Sequence, residues 1–117
     1  MTLRSMMLAS VTLAFAAQAQ AAGCDKIVFS DVGWTDITST TAVTSLIVKA
    51  LGYEPETKVL AVPVTYTGLA SGDIDVFLGN WMPTMEPNIK PYADAKTVDT
   101  VRANLEGAKY TLATNEI

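Results

Sequence analysis

Ile27-Val28-Phe29-Ser30-Asp31-Val32-Gly33-Trp34-Thr35-Asp36 decides the fold. A short apolar run, a turn marked by glycine, then Thr and Asp ahead of a helical pattern read as strand, loop and helix start. Lys26 to Ser30 is a buried strand. The helix after Thr35 and Asp36, either of which can cap it, carries Val43, Leu46, Ile47, Ala50 and Leu51 at helical spacing, and Gly52 is placed to end it. Lys58 to Val62 predicts a second strand. Pro63 opens a short helix over Val64 to Ala70 that Ser71-Gly72 stops, and Asp73 to Leu78 predicts a third strand. This alternation is the signature of an α/β fold with a mainly parallel sheet flanked by helices. Pro83, Pro87 and Pro91 exclude a long regular helix and leave room for short turns. Val98 to Leu105 and Lys109 to Thr114 then read as two more strands, separated by Glu106-Gly107.

The N-terminus reads as a targeting segment. Arg4 precedes an apolar or small stretch from Met6 to Ala17, and Ala17-Gln18-Ala19 and Ala19-Gln20-Ala21 are small-x-small cleavage sites. Residues 1–21 are therefore expected to be a cleaved secretory signal peptide, too short to span a bilayer. Cys24 after Ala22-Gly23 offers a lipoprotein alternative, but the bulky aliphatic residue usual upstream is missing. Residues 22–117 hold one α/β unit. The chain stops just after an apparent strand with no closing element, so it is expected to be the front of a longer protein.

Composition excludes several chemistries. Lys and Arg number 8 against 12 Asp and Glu, a net charge of −4, and loss of Arg4 with the leader makes it one more negative. Nucleic acid is an unsuitable partner for such a surface, whereas cations are favoured. There is no histidine, so the commonest general base and metal ligand are both missing. Ser30, Ser39, Ser45 and Ser71 have nothing to activate them, and Gly33, Gly72 and Gly79 form no phosphate fingerprint. Asp73 and Asp75 offer too few oxygens for calcium. No catalytic residue, metal or cofactor is expected. The single cysteine, Cys24, cannot pair within the chain.

What remains is aromatic. Trp34 and Trp81 are the only tryptophans, and Ile74-Asp75-Val76-Phe77-Leu78-Gly79-Asn80-Trp81-Met82-Pro83-Thr84 repeats the first context. Both indoles sit on loops past strand ends, the edge where open α/β sheets bind ligands. A tryptophan after a strand is as readily a core plug; a pair in equivalent loops favours the ligand reading. A quaternary ammonium wraps a diffuse charge in methyl groups, so aromatic faces compete for it with water, each worth about 0.5–2 kcal/mol. Asp36 has two open roles: helix capping, or accepting a hydrogen bond from a ligand hydroxyl. Asp31 is the weaker candidate, and Asp73 and Asp75 read as surface charges beside a strand. Tyr53, Tyr66 and Tyr92 read as packing or surface residues, and Tyr110 alone is as readily a sheet residue.

Three blocks carry a resemblance: Phe29 to Asp36, Asp73 to Met85, and Ala108-Lys109-Tyr110-Thr111-Leu112-Ala113-Thr114-Asn115. Together they closely resemble the choline-binding subgroup of the glycine betaine/choline substrate-binding proteins of ABC importers. The resemblance implies a two-lobed, hinged periplasmic binding protein (type II, Venus-flytrap), with this chain supplying most of the first lobe and the second lobe absent. It implies that Trp34, Trp81 and Tyr110 belong to an aromatic box for the trimethylammonium group, with Asp36 contacting the choline hydroxyl. Further aromatic and polar contacts, and a partner for Cys24, would lie beyond Ile117. The implied partners are choline and an inner-membrane ABC permease. Glycine betaine or a related osmolyte is the rival ligand, disfavoured because Asp36 would repel its carboxylate. A truncated product without binding activity is the rival of another class. This stretch alone is expected to bind choline weakly or not at all.

Overall fold

The computed structural model describes residues 25–108. Strand β1 (Lys26–Asp31) lies in the middle of a three-stranded sheet, and its burial deepens toward its carboxyl end, where Phe29, Ser30 and Asp31 are buried. Helix α1 (Thr35–Ala50) follows, then β2 (Glu54–Val59), α2 (Val62–Ser71), β3 (Val76–Phe77) and α3 (Glu86–Asp94). The order across the sheet is β2-β1-β3 and both pairings are parallel. The expected α/β alternation is present.

Strand β2 lies earlier than the expected Lys58 to Val62. It pairs Lys26 with Glu54 through Asp31 with Val59. The displacement has a physical reason: β2 is an edge strand, so it needs no continuous apolar run. It tolerates Pro55 and charged side chains, and Lys26 and Glu56 pair ionically across it. Val62 belongs instead to the first turn of α2, where Pro63 is accommodated. Gly72, with φ 82°, closes that helix in the left-handed conformation.

Strand β3 is only two residues long, against the expected Asp73 to Leu78. Asp75 explains its late start: its N–H donates to the Val28 carbonyl (2.8 Å), and its Oδ2 accepts the Val28 N–H (2.7 Å). One backbone bond and one carboxylate bond thus tie Asp75 to β1 ahead of β3, so Asp75 is more than the surface charge it was expected to be. Residues 98–105 form no strand either. Val101 is 90% exposed, and this segment meets the sheet end through Asn104 Nδ2, which donates to the Leu78 carbonyl (3.0 Å). The expected strand Lys109 to Thr114 lies outside the described residues. Helix α3 keeps Pro87 in its first turn and Pro91 inside, consistent with a short helix only.

Helix α1 packs against β1 and β2 through Ile37 and Thr41, whereas Val43, Leu46, Ile47 and Leu51, the residues whose spacing reveals the helix, are exposed. A hydrophobic core cluster joins α2 to α3. Tyr66, Met85 and Ile89 are buried together, with Val62, Leu69, Phe77, Trp81, Tyr92 and Val98 against them. The Tyr66 ring meets Phe77 edge-on at 5.9 Å and stacks on Tyr92 at 6.2 Å. Gly68 lets α2 approach closely, since a β-carbon there would lie 2.8 Å from Ile74 Cγ1.

Candidate functional site

From β1 the chain crosses to β2 on one side, then returns to β3 on the other. The carboxyl ends of β1 and β3 therefore flank a topological switch point, where loops diverge and leave a crevice. The two tryptophan loops leave from these two strand ends.

The first loop turns at Gly33, whose φ of 77° suits glycine. Trp34 is the N-cap residue of α1; its carbonyl accepts the Thr38 N–H (2.8 Å), and its side chain makes no cap. Neither Thr35 nor Asp36 caps the helix as expected; both lie within its first turn, where the Asp36 carboxylate complements the helix dipole. The tethering falls to Asp31. Its Oδ1 accepts the Gly33 N–H and its Oδ2 accepts the Thr38 hydroxyl, both at 2.8 Å. Beneath the strand end, the buried hydroxyls of Ser30 and Thr65 share a hydrogen bond of 2.6 Å that fastens β1 to α2.

The second loop is tighter. At Gly79 a β-carbon would lie 2.8 Å from two atoms of the Phe77 ring and 3.0 Å from Ile37 Cγ1, so the backbone passes where no side chain fits. Next, Asn80 Oδ1 accepts the Tyr66 hydroxyl at 2.7 Å, and the same hydroxyl lies 3.4 Å from Met85 Sδ. Burial pushes the Tyr66 phenol up to about 12, because phenolate would lose its hydration there. Trp81 is half-buried against the Tyr66 cluster, its carbonyl accepts the Met85 N–H (2.9 Å), and a cis peptide joins Met82 to Pro83.

These elements enclose a groove of about 740 Å³, lined among others by Asp36 and Thr40 of α1, Tyr66 of α2, and Asn80, Trp81 and Met82 of the second loop. Asp36 and Trp81 are thus brought to one groove. Trp34 is 38% exposed and outside the groove's lining. Tyr110 lies outside the described residues. Sequence reasoning passes over Asn80, reads Tyr66 only as a packing or surface residue and ranks Asp31 the weaker carboxylate; the only signal for the first two is general, that a buried tyrosine needs a partner for its hydroxyl. The charged lining residues are Asp36, Asp75 and Asp99 against Arg102, so the groove favours cations. Among the described residues no group of three or more potential ligands could hold a metal ion, and no helix is long and apolar enough to cross a membrane.

Comparison with known proteins bears out the resemblance. Residues 25–116 match the substrate binding domain of the ABC-type glycine betaine transport system. A solved ABC-transporter choline binding protein in complex with choline is 66% identical with a TM-score of 0.66, over 68% of this chain and 27% of that one. A choline binding protein in an unliganded, semi-closed conformation is 68% identical with a TM-score of 0.72, over 80% of this chain and 32% of that one. An uncharacterized protein, ORF1, of Chromohalobacter salexigens is 50% identical over 103 residues, 88% of this chain and 66% of its own length. The chain thus spans about a third or less of the solved proteins that it matches. Its parallel sheet with flanking helices is a portion of a periplasmic binding protein fold, and the chain belongs to the family of substrate-binding domains of ABC-type glycine betaine transport systems.

Proposed function

We propose that this chain is part of the periplasmic substrate-binding component of an ABC importer, and that the ligand is choline. The trimethylammonium group rests against the indoles of Trp34 and Trp81, with Tyr110 as a third face, and Asp36 accepts the choline hydroxyl. The complete protein passes choline to an inner-membrane permease after residues 1–21 have been cleaved on export. The observation that carries this reading is the departure of both indole loops from adjacent strand ends at the switch point, with Asp36 on the groove wall. Its support is the high identity to proteins described as binding choline.

One observation favours a second ligand. Arg102 lines the same groove and would attract the carboxylate of glycine betaine. The two readings separate in an NMR titration of the chain with each ligand, followed through the two indole N–H signals. Choline is expected to move both signals with a dissociation constant near or above 1 mM, and betaine to move them less. A stronger response to betaine that Arg102→Ala abolishes would replace choline with betaine. No response to either up to 100-fold excess would leave the chain without binding activity of its own.

A further inference from the structure

We infer that Asp31 is a positioning and specificity-determining residue, one that fastens the Trp34 loop to α1 and sets a carboxylate, with no cationic partner among the described residues, beside the backbone that carries the indole. Asp31 is only 5% exposed, and both of its oxygens accept hydrogen bonds, one from the Gly33 N–H and one from the Thr38 hydroxyl. Both donors are neutral. The ion pairs among the described residues are Lys26 with Glu56 and Lys90 with Asp94, so neither involves Asp31. Lys58 is near in register, but its Nζ donates to the Asp73 carbonyl (3.3 Å). The amino end of α1 supplies only partial positive charge.

Two consequences follow. The tether spans the loop, because Gly33 lies directly before Trp34 and Thr38 lies one turn into the helix, so the backbone that carries the indole is fixed at the end of β1. The charge sits in a poorly hydrated strand end, where solvent screens it less than it screens exposed Asp36. A cation at the indole face therefore gains over a neutral molecule of the same shape. This ligand preference rests on the proposed choline reading, whereas the tether and the local potential do not.

Asp31→Asn separates charge from shape. Its amide oxygen can accept the Gly33 N–H and its nitrogen can donate to the Thr38 hydroxyl, so the loop stays tied while the charge is lost. Cationic and anionic nitroxides of matched size, added to the whole chain, report the local potential through relaxation of each indole N–H. The cationic probe is expected to act more strongly at Trp34, and Asp31→Asn should cut that cation-to-anion ratio by about 2- to 5-fold. Asp31→Ala should in addition shift the Trp34 signal toward that of a free loop. An unchanged ratio in Asp31→Asn would overturn the inference.

A ligand arm uses choline and its neutral isostere, 3,3-dimethylbutan-1-ol. Asp31→Asn should weaken choline by about 2- to 5-fold and leave the isostere unaffected. Equal weakening of both would overturn the role of the charge. If the wild-type chain binds neither molecule, it has no binding activity of its own, and the probe ratio decides the role of Asp31.

Discussion

Tyr66→Phe tests how the Trp81 loop is held. The hydroxyl of Tyr66 donates to Asn80 Oδ1 at 2.7 Å, and the ring is 1% exposed between Phe77 and Tyr92. Removing one oxygen leaves the packing intact and strands an amide acceptor in a half-buried position. The net loss of such a bond with an unsatisfied partner is about 1–2 kcal/mol. Alkaline pH gives an independent signature. The folded-state phenol is pushed up to about 12, above the value of about 10 in an unfolded chain. Its contribution to stability is therefore whole below pH 10 and is lost as pH climbs toward 12, because the unfolded chain releases the proton first. Two pH units would amount to about 2.7 kcal/mol in full. Screening by water at the groove mouth reduces this to about 1 kcal/mol. The measured quantity is the difference between wild type and Tyr66→Phe in urea unfolding from pH 8 to 11.5, in which contributions common to both cancel. The variant should start about 1–2 kcal/mol less stable and converge on wild type as pH rises. Parallel stability curves, or equal stability at pH 8, would refute both the hydrogen bond and the burial of the phenol.

Gly79→Ala should cost about 1–3 kcal/mol, because its β-carbon meets the Phe77 ring at 2.8 Å and Ile37 at 3.0 Å. Thermal unfolding checks the cost, and a variant that melts with wild type would mean that the loop has slack. Asp75→Ala should expose the Val28 amide to exchange and cost about 1 kcal/mol, with Asp75→Asn milder because an amide oxygen can still accept. Unchanged protection of that amide by hydrogen exchange would contradict the role given to the carboxylate.

The sheet was legible where burial made its sequence apolar. Phe29 and its neighbours announce a central strand because both faces of β1 are covered. Strand β2 was misplaced because an edge strand can be Glu-Pro-Glu-Thr-Lys-Val, while the apolar run after it serves a helix start. The glycine and proline punctuation fared well, since Gly72 and Pro63 act through their own backbones and need no distant partner. The strand expected at residues 98–105 had the right residue types but no neighbour to pair with in the described fold. At the site, the loops of Trp34 and Trp81 could be located from local sequence. The contacts that fix them, Tyr66 to Asn80 and Asp31 to Thr38, join residues whose pairing no local pattern encodes.

The groove also bounds the affinity of this chain. Two partly exposed indole faces contribute about 0.5–1 kcal/mol each. A nearby carboxylate at several ångströms adds about 1 kcal/mol at high effective dielectric. A dissociation constant of 1 mM corresponds to about 4.1 kcal/mol, so these terms alone fall short of millimolar binding. The tethered loops limit the ordering cost but add no attraction, so the expectation is a dissociation constant above about 1 mM. Micromolar binding measured on the isolated chain would require contacts absent from this groove. Loss of the response in Trp81→Ala together with its retention in Trp34→Ala would mean that the cation sits inside the groove, away from the place between the two rings that the proposed reading gives it.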